Sequence, residues 1–136
     1  MSCSDQAAGI RSFGPSNVHT KKDGSTWNGF PLSASEPAFN MKTARGAVEL
    51  RNSSGAIKAR VVFRYTEDGI TFGSWVPLYT AGTQEQVNDG VNQPDATSDI
   101  TSGAKRMIQW GAEVLQSSGN ALEAGVVAIQ IETRSW

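Results

Sequence analysis

An Asp-Gly dipeptide between two runs of alternating apolar residues constrains the fold of this chain more than any other feature. Asp68-Gly69 lies between residues 56–66 and residues 70–79. Two-residue β-hairpin turns need positive φ at their central positions, which makes Asp-Gly one of the strongest hairpin signals. A further turn sequence, Asn-Ser-Ser-Gly at residues 52–55, follows the alternating run 46–51. The sequence therefore predicts a three-stranded antiparallel meander over residues 46–79.

Alternation along these runs assigns each side chain to one face of the predicted sheet, because successive residues of a strand point to opposite sides. The face predicted to point inward carries Val48, Leu50, Ile57, Ala59, Val61, Phe63, Tyr65, Ile70, Phe72, Ser74, Val76 and Leu78. The outward face is mostly polar and carries Lys58, Arg60, Arg64, Trp75 and Tyr79. One buried and one solvated face are typical of an antiparallel sheet.

The remaining chain reads as short strands joined by polar segments. Weaker patterns predict strands within residues 10–13, 25–32 and 38–43, and a final hairpin over residues 105–134. Residues 1–24 are small and polar, so we expect an N-terminal arm that is mostly coil. Residues 80–104 contain only two Val and one Ile among polar residues, which predicts a long surface loop.

These features predict an all-β protein, an antiparallel β-sandwich of about seven or eight strands forming a single domain over residues 1–136. An α+β fold with a helix near residues 104–115 is the alternative. Residues 46–65 and 111–130 match without a gap at eight of 20 positions. This internal echo indicates either a duplication of two hairpin-containing halves or the shared composition of β-hairpins.

Charge and cysteine content narrow the classes of partner and location. The formal net charge is −1, whereas nucleic-acid-binding domains usually carry a broad basic footprint. No apolar run approaches the roughly 18 residues of a membrane span. We therefore expect no nucleic-acid binding and no membrane insertion. The first residues do not follow the signal-peptide pattern, so we expect a cytoplasmic protein as numbered, or a secreted one if a leader has been removed.

The sequence carries no catalytic signature. Its one histidine, His19, and its one cysteine, Cys3, lie in a polar stretch with no rigid shell to orient a nucleophile. Walker, zinc-protease and nucleophile-elbow motifs are absent. The adjacent carboxylates Glu67 and Asp68 point apart, so they are not the facing pair of a glycosidase. We expect a protein that is not an enzyme, and a β-sandwich hydrolase is the third alternative.

Oxygen-rich side chains in residues 80–104 raise the question of a metal site. Asn88, Asp89, Asn92, Asp95 and Asp99 lie within 12 residues, and calcium takes six to eight oxygen ligands of these kinds. Its carboxylate ligands would be Asp89, Asp95 and Asp99. The same residue types form ordinary loops, and their spacing is not that of an EF-hand. We therefore expect no cofactor and keep calcium as an alternative.

Aromatic side chains are the strongest pointer to function. Trp27, Trp75 and Tyr79 are expected at outward or edge positions, and Trp110 is a further candidate. Exposed aromatic rings can stack on a sugar while Asn and Asp bind its hydroxyls. The predicted ligand-binding set is therefore Trp75, Tyr79, Trp27, Asp89, Asn92 and Asp95. The stretch RYTEDGITFGSWVPL resembles the strand–turn–strand unit of many β-sandwich adhesion and carbohydrate-binding modules.

The leading prediction is thus a non-catalytic, lectin-like module that binds a glycan. The alternative is a structural protein that forms a homo-oligomer or filament. A one-residue shift in register would exchange the two faces and bury the aromatic side chains. A sugar-binding protein keeps an exposed ring beside polar groups, whereas a stable assembly buries more than about 1,000 Å² at an interface between copies.

Overall fold

The computed structural model describes residues 7–22, 24–38, 40–53, 55–79, 86–87, 89–94, 96–100, 106–116 and 122–135. Throughout these ranges the chain forms β-strands and turns, with no helix, and hence no helix long and apolar enough to cross a membrane. The strands are β1 (Ala7–His19), β2 (Asn28–Pro31), β3 (Glu36–Pro37), β4 (Met41–Arg51), β5 (Ile57–Thr66), β6 (Val76–Pro77), β7 (Gln86–Val87), β8 (Gly90–Asn92), β9 (Ser98–Asp99), β10 (Met107–Gln116) and β11 (Ala124–Ser135).

The strands form two antiparallel sheets that pack face to face. Sheet A has the order β1-β11-β4-β8, and β9 also pairs with β4. Sheet B has the order β2-β10-β5-β6, with β3 on β10 and β7 on β5. The prediction of an all-β antiparallel sandwich is confirmed. The α+β alternative is wrong, because the segment proposed as a helix contains β10.

The core lies between the sheets and follows the alternation in the long strands. Val48 and Leu50 of β4 and Val61 of β5 have no exposed surface. Burial of one such side chain contributes about 1.5–3 kcal/mol. Across these strands the inward positions predicted from the sequence are confirmed, and the same alternation buries Val127, Ile129 and Ile131 of β11.

The predicted meander over residues 46–79 is wrong because β4 and β5 belong to different sheets. Each is hydrogen-bonded on both sides, β4 by β11 and β8, and β5 by β10 and β6. The connection at 52–56 is therefore a corner between sheets. Buried Asn52 holds this corner, because its Oδ1 accepts the Ala56 N–H at 3.2 Å and its Nδ2 donates to the Ala124 carbonyl at 2.7 Å.

The predicted final hairpin is wrong for the same reason, since β10 lies in sheet B and β11 in sheet A. The two halves of the sequence echo thus both connect one sheet to the other. If the two halves were structural duplicates, the aligned glycines Gly46 and Gly111 would pair with equivalent residues. Gly46 pairs with Ile131, which aligns with Thr66, but Gly111 pairs with Val62. The second strands of the two halves are therefore shifted by four residues relative to the gapless alignment.

The segment after Asp68-Gly69 is mostly a turn held by the Asp68 side chain. The Asp68 Oδ1 accepts the N–H groups of Ile70 at 2.8 Å and Thr71 at 2.7 Å. A regular strand is limited to β6, which pairs with β5. The alternation predicted for residues 70–79 is therefore wrong, because Ile70 and Val76 are exposed and Tyr79 is buried. Of the predicted inward set, Leu78 is buried in the core as expected.

The segment expected to be mostly coil, with a short strand at residues 10–13, and the segment expected to be a surface loop both contribute edges to the sheets. Residues 7–19 of the expected arm form β1, the longest strand described, which pairs with β11. Within the expected surface loop 80–104, β8 and β9 pair with β4, and β7 pairs with β5. Ile100 enters the core. Edge strands are more exposed to solvent than central strands. These segments are therefore polar and show no clear alternation of apolar residues.

Candidate functional surface

The outer face of sheet B is covered by one of its own tryptophans. Trp75 packs against two positions that lack a side chain, Gly29 on β2 and Gly111 on β10. A Cβ atom added to Gly29 would lie 2.4 Å from Trp75 Nε1, and one on Gly111 would lie 2.7 Å from Trp75 Cη2. Both glycines are therefore needed for the indole to reach the backbone of the sheet.

Basic side chains on the same face stack on aromatic rings. The Arg64 Cζ lies 4.2 Å from the centre of the Trp75 ring and 4.1 Å from that of Phe72. The Arg60 Cζ lies 3.9 Å from the Trp27 ring centre. Cation–π contacts of this kind contribute about 0.5–2 kcal/mol.

Polar partners on β10 hold the two guanidinium groups as well. The Arg60 Nη2 lies 2.9 Å from Glu113 Oε1, and the Arg64 Nε donates to Gln109 Oε1 at 2.8 Å. Arg60 and Arg64 thus interact with aromatic and polar side chains of the protein itself. These contacts indicate a structural role in covering the outer face of sheet B.

The predicted ligand-binding residues are divided between the two sheets. Trp27 and Trp75 lie half-buried on the outer face of sheet B. Asp89 and Asn92 lie at β8 on the edge of sheet A, where Asp89 is 3.5 Å from Arg51. Asp95 lies outside the described residues. The structure therefore does not gather the described members of this set into one site, and their binding role stays a prediction.

Tyr79 is buried, with 7% of its surface exposed, so its expected outward position is wrong. Its hydroxyl accepts the Gly46 N–H at 3.0 Å and donates to the Ala96 carbonyl at 2.7 Å. Burial raises the pKa of Tyr79 above its usual range. This side chain ties residue 96 to β4. Trp110 is also buried rather than outward.

The proposed calcium ligands Asp89 and Asp99 lie near opposite ends of β4. Asp89 precedes Gly90, which pairs with Leu50, whereas Asp99 pairs with Thr43. The strand between Thr43 and Leu50 is about 23 Å long at 3.3 Å per residue. These two carboxylates do not bind one ion together. Among the described residues no group of three acidic, His or Cys side chains is arranged to hold a metal.

The outer face of sheet A has a shallow trough where sheet B has its aromatic cover. Two adjoining hollows of about 320 and 270 Å³ share Ala47, Gln93 and Gln130 in their walls. Ile10 of β1 borders one hollow and Val91 of β8 borders the other. Both are exposed apolar side chains. The residues shared by the two hollows, at the centre of this face, are uncharged, while Arg45, Glu132 and Glu49 lie at their margins.

The sheet edges differ greatly in length. In the described part of the chain, β1 has 13 residues, whereas β2 has four and β8 has three. The edge strand β6 has two, and both β2 and β6 end in proline. Short strands and prolines protect an edge from pairing with another chain. No described strand pairs with the outer side of β1.

The outward side chains of β1 provide no charged protection. From residue 9 onward, the exposed positions of β1 are Ile10, Ser12, Gly14, Pro15, Asn17 and His19. This set includes no Lys, Arg, Asp or Glu. Pro15 lacks a donor, and the pairing with β11 shifts between Phe13 and Ser16. Residues 9–13 upstream keep a continuous register with β11.

The one charged residue in that regular segment, Arg11, turns toward sheet B. Its Nη2 lies 2.6 Å from Glu36 Oε1 on β3, and its Nη1 donates to Thr133 Oγ1 at 2.8 Å. Arg11 therefore fastens β1 to the other sheet and leaves the edge itself uncharged.

Sequence reasoning predicted the strand at residues 10–13 but did not assign it a function. Ile10 and Phe13 supply the only local signal for this strand. Whether a strand lies at an edge depends on the order of the sheet, which alternation does not encode. Arg11 and Glu36 are 25 residues apart, so no spacing rule joins them.

Comparison with known proteins shows similarity of fold alone. No family model and no curated protein matches the sequence. A structure of infectious bursal disease virus, Gt strain, matches with a TM-score of 0.57 and 10% identity over 96% of this chain and 33% of that chain. The T13 particle of the same virus gives 0.58 and 10% over 96% and 32%, and its VP2 subviral particle gives 0.54 and 10% over 96% and 34%.

The protein spans about a third of the length of the solved chains it matches. At this identity the similarity extends to the two-sheet β-sandwich, which the neighbours in viral particles share.

Proposed function

We propose that this protein is a structural subunit that assembles with copies of itself through the edge of β1. The observation that carries the proposal is the contrast between the edges. β1 has 13 residues, of which residues 9–13 keep a continuous register with β11, and its described outward side chains carry no charge, while the other described edge strands have at most four residues. A long edge strand presents unpaired backbone groups to a further strand.

The fold of the structural neighbours is compatible with this role. The similar chains come from a viral particle and a VP2 subviral particle of infectious bursal disease virus. The exposed Ile10 adds an apolar contact beside the edge, with 64% of its surface accessible. Self-association therefore has support from an edge, an apolar side chain and a fold.

Carbohydrate binding has less support from the geometry. The rings of Trp75 and Trp27, which would stack on a sugar, are already stacked with the guanidinium groups of Arg64 and Arg60. Tyr79 is buried. A hydrolase also lacks a supporting arrangement in the ranges described, where the carboxylates Glu113 and Glu132 are in ion pairs with arginine.

Light scattering after size-exclusion chromatography tests the proposal. The protein should elute as an oligomer over a range of concentrations. Ile10→Lys should raise the dissociation constant at least about ten-fold, or about 1.4 kcal/mol, because it places a charge beside the pairing edge. Ile70→Lys is the matched control, because Ile70 is 83% exposed on the turn after β5, a strand of sheet B, whereas β1 belongs to sheet A. This variant should associate like the wild type.

A wild-type protein that stays monomeric at high concentration overturns the proposal. Equal effects of Ile10→Lys and Ile70→Lys would also overturn it, because they would move the interface away from β1.

A further inference from the structure

The geometry points to a symmetric dimer in which β1 pairs antiparallel with β1 of a second copy, about a two-fold axis at Arg11. This inference rests on the proposed self-association and specifies its partner and register. Two identical edges related by a two-fold axis across the sheet pair antiparallel and form a closed interface. Sheet A then continues from one copy into the next.

Because side chains alternate between the two faces of β1, the two-fold axis must lie between one residue and its own copy. It cannot lie between two successive residues. Directly opposed residues of an antiparallel pair point to the same face. Arg11 points inward and Ser12 outward, so they do not oppose each other across the axis. The centre of pairing is therefore a single residue.

The length of regular strand selects that residue. The register with β11 is continuous from Gly9 to Phe13 and shifts on both sides of this segment. An axis at Arg11 lets all five residues pair, with Gly9 opposite Phe13 of the second copy. With the axis at Ile10 or Ser12, only the central residue and one residue on each side of it pair within the regular segment. The next pair would already include a residue of an irregular segment.

The outward side chains fit the Arg11 axis. Ile10 of each copy faces Ser12 of the other, and the two Ile10 side chains lie on a diagonal of about 7–8 Å between backbone positions, within reach of each other. The two exposed isoleucines thus cover each other at the centre of the interface.

Charge balance on the inward side permits the same axis. Two opposed arginines repel when they are unpaired. Here each Arg11 is 2.6 Å from its own Glu36, so the four groups at the axis are neutral together. The ion pair that fastens β1 to sheet B also makes the strand able to pair with itself.

Disulfide trapping tests the register. Ile10→Cys and Ser12→Cys proteins are prepared separately with the native Cys3 replaced by serine, mixed, and oxidised. Opposed strand positions lie within the 4.4–6.8 Å Cα separation of a disulfide. The mixed disulfide, which joins one Ile10→Cys chain to one Ser12→Cys chain, should exceed either homodisulfide by about ten-fold, as measured by mass spectrometry of linked peptides.

His19→Cys is the control, because in this register its two copies lie about 50 Å apart at 3.3 Å per residue. It should show only background cross-linking. An excess of the homodisulfide of Ser12→Cys, or of that of Ile10→Cys, would overturn the Arg11 axis. An oligomer in light scattering with no β1 cross-link would overturn the paired-strand dimer and leave self-association standing, whereas a monomer would overturn both.

Discussion

Asp68 shows how one carboxylate sets the path of the chain after β5. Its oxygen accepts the N–H groups of Thr71 and Ile70, and these bonds lower its pKa from 3.8 to about 2. The side chain therefore organises the turn that the sequence assigned to a tight Asp-Gly hairpin. Asp and Gly favour turns through several geometries, so the sequence predicted the place of the turn but not its form.

We expect Asp68→Asn to remove a pH-dependent part of the stability. Because the folded-state pKa of Asp68 is depressed, its contribution is present above pH 3.8 and is lost as the pH falls through about 2. The wild type should thus unfold at a higher urea concentration than Asp68→Asn near pH 6, and the gap should close below about pH 2. A gap that persists unchanged at acid pH would contradict this. Glu67→Gln controls for the loss of a surface charge.

The two corners decide the topology at the scale of elements. Both connections predicted as hairpins, β4 to β5 and β10 to β11, carry turn residues and flank alternating strands, and both cross between sheets. Alternation predicted the buried faces of these strands correctly because it depends only on each strand. Pairing depends on which edges are already occupied, and local sequence does not carry that information.

Replacement of Asn52 by alanine should weaken the first corner. It removes the acceptor for the Ala56 N–H and the donor to the Ala124 carbonyl in a buried setting. The loss should be about 1–3 kcal/mol in the free energy of unfolding, measured by urea titration. Ser53→Ala changes the exposed neighbour and should stay within about 0.5 kcal/mol. Equal costs for the two variants would show that the corner does not depend on Asn52.

At the scale of the molecule, the two sheets are joined by ion pairing as well as by the core. Arg11 of β1 and Glu36 of β3 form such an ion pair, with 22% and 24% of their side chains exposed. Arg51 and Glu49 pair within sheet A and are 54% and 42% exposed. Such a cross-sheet pair was beyond sequence reasoning, because it required knowledge of which edges lie above one another.

Glu36→Gln should therefore destabilise the protein more than Glu49→Gln. The half-buried, hydrogen-bonded pair should be worth about 1–2 kcal/mol after solvent screening, whereas the exposed pair should be worth less than about 0.5 kcal/mol. Urea unfolding in the Ile10→Lys background, at a concentration where light scattering shows a monomer, measures this without a contribution from association. A loss at Glu36 no larger than the loss at Glu49 would rule out the cross-sheet pair as a fastening of β1.

The packing of Trp75 on Gly29 and Gly111 determines which of these three residues can be substituted first as the sequence evolves. The three atoms nearest to a Cβ on Gly29 all belong to Trp75, so a smaller residue at 75 frees position 29 to vary. A Cβ on Gly111 would also lie 2.4 Å from the Phe30 carbonyl oxygen, which stays in place whatever occupies position 75. A lineage can therefore exchange Trp75 first and Gly29 second, while Gly111 remains fixed throughout.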